Sequence, residues 1–230
     1  MRGKRISSPA KRYLFQASLL LFLFVFIFER FADEMIEQDL YQFDSGIIHW
    51  VQGSITPPLT GLMKFFTFLG STTAMIFLVI LTVAIMIWRK KRWEALFFVI
   101  ATGGGALFNQ LLKWIFQRQR PTLHRIIEET GYSFPSGHSM VSFICYGMLW
   151  MFLFLFFRAV WPKVMLTLLA VALILLIGIS RIYLGVHYPS DVLAGFAAGG
   201  AWLVICLMGL RLVLEYRRAN PQEDPLPPVH

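Results

Sequence analysis

Six long runs of predominantly apolar residues constrain this chain more than any other feature of its sequence. A helix that crosses the hydrocarbon core of a bilayer needs about 20 such residues. The runs cover residues 13–28, 71–88, 93–116, 138–157, 163–179 and 191–214. A shorter apolar segment, 59–69, follows Pro57-Pro58 and either extends the second span or lies separately in the membrane interface. We therefore predict an all-α fold with six transmembrane helices, which form a single domain over residues 13–214.

Charged residues make up only 15% of the chain, against about 25% in an average soluble domain. The formal net charge is +8, which raises the question of a nucleic-acid partner. The basic residues instead cluster beside the apolar runs: Arg2, Lys4, Arg5, Lys11 and Arg12; Arg89, Lys90, Lys91 and Arg92; Arg211, Arg217 and Arg218. Such clusters are typical of membrane topology signals and not of a groove-binding surface, so we predict no nucleic-acid partner.

The basic clusters agree on one orientation, in which both termini lie in the cytoplasm. Residues 1–12 then form a basic cytoplasmic N-terminus, and the polar, proline-rich residues 215–230 form a disordered cytoplasmic tail. An acidic loop, 29–56, faces outside, together with the loops 117–137 and 181–190. The acidic loop either shapes lateral entry of a lipid or forms an interfacial helix. Glu128 and Glu129 are expected to be solvated loop charges.

Three polar segments lie at helix ends on the predicted outer side. They hold Lys113 with Arg120-Pro121; Pro135-Ser136-Gly137-His138; and Ser180-Arg181 with His187 and Asp191. Lys113, Arg120 and Arg181 supply three cations without a matching acidic cluster in the same segments, which indicates an anion such as phosphate. Ser136 and Gly137 begin a helix, where free backbone N–H groups and the helix dipole favour phosphate.

Two histidines in these segments suit different chemical roles. His187 and Asp191 are four residues apart, so one helical turn brings them together. An aspartate that accepts the Nδ1–H of His187 leaves Nε2 free to attack phosphorus, and a protonated His138 can donate to the leaving group. We predict His187, His138 and Asp191 as the catalytic residues. The predicted phosphate-binding residues are Lys113, Arg120, Ser136, Gly137 and Arg181.

The same three segments resemble the full signature of the type 2 phosphatidic acid phosphatase family, which includes vanadium-dependent haloperoxidases and glucose-6-phosphatase. The matching motifs are Lys113-x6-Arg120-Pro121, Pro135-Ser136-Gly137-His138 and Ser180-Arg181-x5-His187-x3-Asp191. The resemblance implies a phosphohistidine at His187, oriented by Asp191, with His138 acting as acid and then as base. It implies neither a metal ion nor a cofactor. The chain resembles the membrane branch, especially small bacterial phosphatidylglycerophosphate and undecaprenyl-diphosphate phosphatases, which implies a multi-pass plasma-membrane protein. The orientation predicted from the basic clusters places its active site outside.

The leading hypothesis is a lipid phosphatase that acts on a phosphomonoester or a diphosphate. Phosphatidylglycerophosphate, undecaprenyl diphosphate and phosphatidic acid are all open as substrates, and so is the oligomeric state. A lipid phosphotransferase would use the same phosphohistidine with an acceptor other than water. A haloperoxidase is disfavoured because such enzymes are expected to be soluble. A binder or transporter of lipid phosphate would use the same cations, but it has no need of the two histidines and Asp191.

Overall fold

The computed structural model describes residues 8–122 and 124–219, which form eight α-helices and no strand. The helices are α1 (Ser8–Ile36), α2 (Tyr41–Gln52), α3 (Pro57–Leu69), α4 (Thr72–Trp88), α5 (Arg92–Phe116), α6 (Gly137–Phe156), α7 (Val160–Tyr183) and α8 (Pro189–Ala219). Helices α1, α5, α6, α7 and α8 are each long and apolar enough to cross a membrane, and α3 together with α4 makes a sixth candidate span. The prediction of an all-α membrane bundle is confirmed.

The segment before the second predicted span is a separate helix that is bent against it. The α3–α4 pair turns by 49° at Gly70-Ser71. Ser71 caps α4 by accepting a hydrogen bond from the backbone N–H of Ala74 at 3.3 Å, and the Tyr146 hydroxyl donates to the carbonyl of Leu69 at 2.9 Å. These side chains satisfy backbone groups that a helix interruption leaves unpaired. The backbone groups at the break between α3 and α4 are therefore hydrogen-bonded, and the break lies against α6.

Helix α8 lies at the centre of the bundle and packs against α1, α5, α6 and α7. Gly195 and Gly199, one turn apart, let its backbone approach α6 closely. A Cβ at Gly195 would lie 2.7 Å from the carbonyl oxygen of Ser136, and one at Gly199 would lie 2.8 Å from that of Met140. Small residues at this spacing are typical of close contacts between membrane helices. They fix α8 against the start of α6, where the predicted site lies.

The perimeter of the bundle is apolar. Large hydrophobic side chains point outward from α1, α4, α5 and α7; Phe22 is 71% exposed and Leu107 is 75% exposed. A soluble monomer rarely presents apolar patches of more than a few hundred Å² to water. This surface is therefore suited to contact with lipid chains.

Two helices continue past the predicted ends of their spans. Helix α1 runs on to Ile36, supported by an ion pair of Arg30 with Glu34, and the rest of the loop predicted at 29–56 contains the short helix α2. Helix α8 runs to Ala219, past the domain end predicted at 214, with Arg211 and Glu215 3.6 Å apart. Ion pairs between residues four apart stabilise a helix that lies in water. The apolar pattern used to predict the spans does not detect such helical extensions. Residues 1–7 and 220–230 of the predicted terminal segments lie outside the described residues.

Candidate active site

The three polar segments predicted from the sequence converge at one end of the bundle. Lys113 lies in the last turn of α5, His138 in the first turn of α6, and Arg181 in the last turn of α7. His187 lies in the short loop between α7 and α8, and Asp191 lies in the first turn of α8. Because α5 and α7 end where α6 and α8 begin, the helix order alone brings these side chains to the same level.

His187 is held by Asp191 on one side and by Arg120 on the other. Its Nδ1 lies 3.3 Å from Oδ2 of Asp191, and its Nε2 lies 3.1 Å from Nη1 of Arg120. A guanidinium can only donate hydrogen bonds, so Nε2 must carry a lone pair and Nδ1 the proton. Burial lowers the pKa of His187 to about 4, although Asp191 opposes this shift. The imidazole is therefore neutral near pH 7, with the unprotonated nitrogen turned toward the cations.

Arg120 and Lys113 are held in place by backbone carbonyls of the 117–137 loop and of the loop between α7 and α8. Arg120 donates to the carbonyl oxygens of Gly131, Thr130 and Val186 at 3.0, 3.1 and 2.9 Å. The Lys113 ammonium donates to the carbonyl of Tyr132 and, at 3.4 Å, to that of Ser133. These carbonyl groups are neutral, so they orient the two side chains without cancelling their positive charges.

The third cation, Arg181, is almost fully buried, and it is paired with a carboxylate that was expected to lie in water. Glu129 places Oε1 2.6 Å from Nη2 of Arg181, and its Oε2 lies 3.9 Å from Nη2 of Arg120. Burial acts to raise the pKa of Glu129, but Arg181, Arg120 and His187 together outweigh burial, and the net pKa is lowered. The prediction of a solvated charge is wrong for Glu129, because two guanidiniums stabilise the carboxylate inside the site. Glu128 is exposed, as expected.

The start of α6 packs closely against α5 at Gly137. A Cβ there would lie 2.9 Å from Oδ1 of Asn109. The buried Ser136 is the N-cap of α6; its hydroxyl accepts hydrogen bonds from the backbone N–H of Ser139 at 3.4 Å and from the Ser139 hydroxyl at 2.9 Å. The predicted helix start at Ser136-Gly137 is therefore present, and its first backbone amides lie beside Lys113 and Asn109.

Several site residues were not predicted. Asn109 lies one turn before Lys113 and donates to the carbonyl of Pro135 at 3.3 Å; the i, i+4 spacing from Lys113 was a usable signal. The Ser133 hydroxyl donates to Oδ2 of Asp191. Arg118 lies 2.7 Å from Oδ1 of Asp191 and 2.8 Å from Oδ2 of Asp44. Nothing in the local sequence distinguishes Asp44 from the other acidic residues of its loop.

A cavity of about 840 Å³ has charged and polar side chains at one end and an apolar groove at the other. The polar end is lined by Lys113, Arg120, Glu129, His138 and His187. The groove continues between α4 and α5, along Met75, Ile76, Val79, Ile80, Val99, Gly103 and Ala106. Ile76, Ile80 and Val99 are also exposed on the perimeter of the bundle. The cavity is therefore polar at the helix ends and open toward the lipid-facing surface along its apolar part.

Within the described residues, 8–122 and 124–219, no group of three or more His, Cys, Asp or Glu side chains is placed so that it could hold a metal ion. The charges that surround the cavity come instead from arginine, lysine and the Glu129 carboxylate. A tetrahedral dianion of the size of phosphate suits such a set of donors, because guanidinium groups bind phosphate oxygens in pairs.

Comparison with known proteins identifies the family to which the chain belongs. The PAP2 superfamily matches residues 93–212, a range that contains every predicted site residue. Phosphatidylglycerophosphatase B of Bacillus subtilis is 37% identical over 145 residues, which are 62% of this chain and 71% of that protein. Undecaprenyl-diphosphatase of Sulfolobus acidocaldarius is 27% identical over 199 residues, 84% of this chain and 89% of that protein.

One solved structure extends the likeness to the whole fold. The crystal structure of a transmembrane PAP2-type phosphatidylglycerolphosphate phosphatase from Bacillus subtilis has a TM-score of 0.73 and 30% sequence identity, and the match covers 89% of this chain and 97% of that one. The resemblance inferred from the three motifs is thereby confirmed. The chain belongs to the PAP2 superfamily and is a multi-pass membrane phosphatase.

Proposed function

We propose that the protein hydrolyses a lipid phosphomonoester or lipid diphosphate through a phosphohistidine at His187. The observation that carries this proposal is the state of the imidazole, with Nδ1 toward Asp191 and Nε2 toward Arg120 inside a cationic cavity. A neutral histidine whose tautomer is fixed by a carboxylate is a competent nucleophile. The apolar groove beside it has the character required by the chains of a lipid.

In the first step, Nε2 of His187 attacks phosphorus as the bond to the leaving oxygen breaks. His138, in its protonated form, gives its proton to that oxygen, which belongs to the lipid alcohol or to the lipid monophosphate of a diphosphate. Asp191 accepts the Nδ1–H and stabilises the positive charge that develops on the ring. Lys113, Arg120, Arg181 and the first amides of α6 neutralise the charge on the three remaining oxygens.

In the second step, His138 removes a proton from water, which attacks the phosphohistidine and releases inorganic phosphate. His187 returns to its neutral form, and His138 is again protonated for the next turnover. The cations of the cavity supply the electrostatic stabilisation that this sequence needs, so the proposed mechanism uses neither a metal ion nor a cofactor. Neither Ser136 nor Gly137 transfers a proton; they shape the helix start that binds the phosphate.

The shape of the cavity favours a lipid over a soluble phosphate ester. Between Ile80 and Thr72 on α4 the groove extends about 12 Å, and between Val99 and Lys113 on α5 about 21 Å, at 1.5 Å per helical residue. These lengths accommodate a substantial part of one acyl or prenyl chain while the phosphate reaches His187. The relatives named above act on phosphatidylglycerophosphate and undecaprenyl diphosphate, and phosphatidic acid is a third candidate for this chain.

The test is release of inorganic phosphate from these three lipids, dispersed in detergent with a chelator of divalent metals. Wild type, His187→Ala and His138→Ala are compared, and the enzyme is quenched in alkali to trap the acid-labile phosphohistidine. We expect no detectable turnover and no trapped phosphate with His187→Ala. Full activity in that variant would rule out the mechanism. Lipid binding without phosphate release by the wild type would indicate a binder, and transfer to an added alcohol would indicate a phosphotransferase.

We further propose that the protein lies in the plasma membrane with both termini in the cytoplasm and the active site outside. A single cysteine at position 39, in the exposed turn between α1 and α2, or at position 90, in the α4–α5 turn, reports the orientation. Cys145 and Cys206 are buried and give little background. In intact cells, a membrane-impermeant thiol reagent is expected to label Asp39→Cys but not Lys90→Cys. The reverse pattern would place the active site in the cytoplasm.

A further inference from the structure

One guanidinium bridges two buried carboxylates next to His187. Arg118 donates through Nη1 to Oδ1 of Asp191 at 2.7 Å and through Nη2 to Oδ2 of Asp44 at 2.8 Å. Asp191 is fully buried and Asp44 is 2% exposed. The guanidinium carbon of Arg118 also lies over the ring of Tyr188, 4.0 Å from its centre. A buried carboxylate has a large desolvation cost unless it is paired, so Arg118 stabilises both acids at once.

Asp44 has a second set of contacts, which fix the start of α8. The backbone N–H of Ser190 donates to its Oδ1 at 2.9 Å, and the Ser190 hydroxyl donates to its Oδ2 at 2.7 Å. Ser190 is the second residue of α8, where the helix itself offers no partner for the N–H group. Asp44 therefore acts as an N-terminal cap of α8, contributed by α2 rather than by α8. The next residue of that turn is Asp191.

The contacts of Asp191 divide between its two oxygens. Oδ2 faces Nδ1 of His187 at 3.3 Å and accepts the backbone N–H of Tyr188 at 2.9 Å and the Ser133 hydroxyl. Oδ1 accepts the hydrogen bond from Arg118. The terminal torsion of an aspartate is intrinsically broad, so partners on both oxygens are needed to fix the carboxylate plane. Arg118 supplies the partner on the side away from the imidazole.

We propose that Arg118 and Asp44 are positioning residues for the hydrolytic reaction. Arg118 fixes the Asp191 carboxylate against His187, and Asp44 fixes both Arg118 and the helical turn that carries Asp191. This inference rests on the proposed function, because it assigns a role relative to His187 as nucleophile. Arg118 occupies one of the six unspecified positions between Lys113 and Arg120, and Asp44 lies outside the residues matched by the PAP2 superfamily.

The experiment compares kcat and KM for Asp44→Asn, Arg118→Gln and the double variant, per mole of monodisperse folded enzyme. Loss of positioning is expected to lower kcat about 10-fold for Asp44→Asn and about 100-fold for Arg118→Gln, since small misplacements at a reacting group have effects of this size. KM and inhibition by inorganic phosphate are expected to change less than about twofold, because Lys113, Arg120 and Arg181 are untouched. The double variant is expected to match Arg118→Gln, because coupled residues are not additive.

Matched controls remove the same kinds of charge at exposed positions. Asp39→Asn removes an exposed carboxylate of the same acidic segment, and Arg30→Gln removes a guanidinium that is 56% exposed and pairs with Glu34. Both are expected to keep wild-type kcat. Three results would each overturn the proposal. The first is wild-type kcat in folded Asp44→Asn, and the second is a loss that appears only in KM. The third is a double variant whose loss in kcat equals the product of the two single losses.

Two further variants keep the outcome interpretable. If Arg118→Gln does not fold, Asp44→Asn and Ser190→Ala decide the question, since both leave the Arg118–Asp191 pair in place. Asp44→Asn weakens the contacts of Asp44 with Arg118 and Ser190, and Ser190→Ala removes the hydroxyl that donates to Asp44 and accepts from Arg118. Both are expected to lower kcat. His187→Ala separates this inference from the proposed function. An inactive His187→Ala beside a fully active Asp44→Asn would refute the positioning role alone, whereas an active His187→Ala would refute the phosphohistidine mechanism.

Discussion

Nε2 of His187 and Nη1 of Arg120 lie 3.1 Å apart, with the arginine donating and the histidine accepting. The atom proposed to attack phosphorus therefore already faces a cation proposed to bind phosphate. A substrate phosphate must separate these two groups, since phosphorus has to reach Nε2 while an oxygen takes the guanidinium hydrogen. The pair thus keeps the nucleophile unprotonated and oriented until an anion replaces one of its hydrogen bonds.

The first prediction concerns the pH dependence of kcat/KM. His187 attacks only when neutral, and burial lowers its pKa to about 4, so its reactive form is fully present above that pH and is lost as the pH falls through it. We expect no loss of activity from His187 between pH 7 and pH 5. The measurement is kcat/KM across pH 3.5–7.5, corrected for the separately titrated ionisation of the substrate. A residual acid limb near pH 6.5, the usual histidine value, would contradict the prediction.

The second prediction concerns Glu129, whose carboxylate lies on Arg181 and Arg120. A bound phosphate must compete with this carboxylate for the same guanidiniums. Glu129→Gln is therefore expected to tighten inhibition by inorganic phosphate about 10-fold, since a partly buried charge pair is lost from the free enzyme. The inhibition constant is measured with Glu128→Gln as the control, because Glu128 is an exposed neighbour. Equal constants for the two variants would show that Glu129 does not compete with the anion.

The third prediction tests whether the groove between α4 and α5 holds a lipid chain. A Cβ at Gly103 meets no atom within 4 Å, so a side chain there projects into open space of the groove. Gly103→Leu is expected to lower kcat/KM for a long-chain lipid about 10-fold and to leave a short-chain, water-soluble phosphate ester unaffected. Leu107→Phe, on the outward face of α5, is the control. Equal losses with both substrates would place the lipid chain elsewhere.

The fourth prediction concerns stability. At Gly199 a Cβ would lie 2.8 Å from the carbonyl oxygen of Met140 and 3.3 Å from its Cα, so backbone on both helices would have to move. Gly199→Ala is expected to destabilise the fold by about 1–3 kcal/mol, the usual range for overpacking, despite the better helix propensity of alanine. Thermal unfolding in detergent gives the shift. Gly103→Ala, which meets no neighbour, is expected to raise or preserve the midpoint; a lower midpoint in both would implicate the helix backbone itself.

The sequence predicts the bundle and the core of the site because both leave local signals. Apolar runs specify spans, and the spacing of His187 and Asp191 specifies a helical turn. The 49° bend between α3 and α4 was not predicted, since hydropathy measures transfer into lipid and carries no direction. Asp44 and Arg118 are 74 residues apart. Their pairing depends on where α2 settles on α7 and α8, a tertiary contact that no local pattern encodes.

The position of Glu129 also could not be predicted from the local sequence. An acidic residue in a loop is usually exposed to water, and Glu128 follows that rule. One position further on, the chain turns toward the guanidiniums of Arg181 and Arg120. Together with His187 they lower the pKa of Glu129 more than burial raises it. Which of two adjacent glutamates enters the site is decided by the path of the backbone after Arg120, and that path has no regular secondary structure.

The apolar walls of the groove reach the perimeter of the bundle at Ile76, Ile80 and Val99. A substrate that arrives by this route diffuses in two dimensions within its leaflet and never passes through bulk water. Turnover then follows the mole fraction of the phosphorylated lipid in the membrane surface, and dilution with an inert phospholipid slows the enzyme even when the total substrate concentration is constant. The rate of such an enzyme therefore depends on the lipid composition of the surrounding leaflet and not on the substrate concentration in bulk solution.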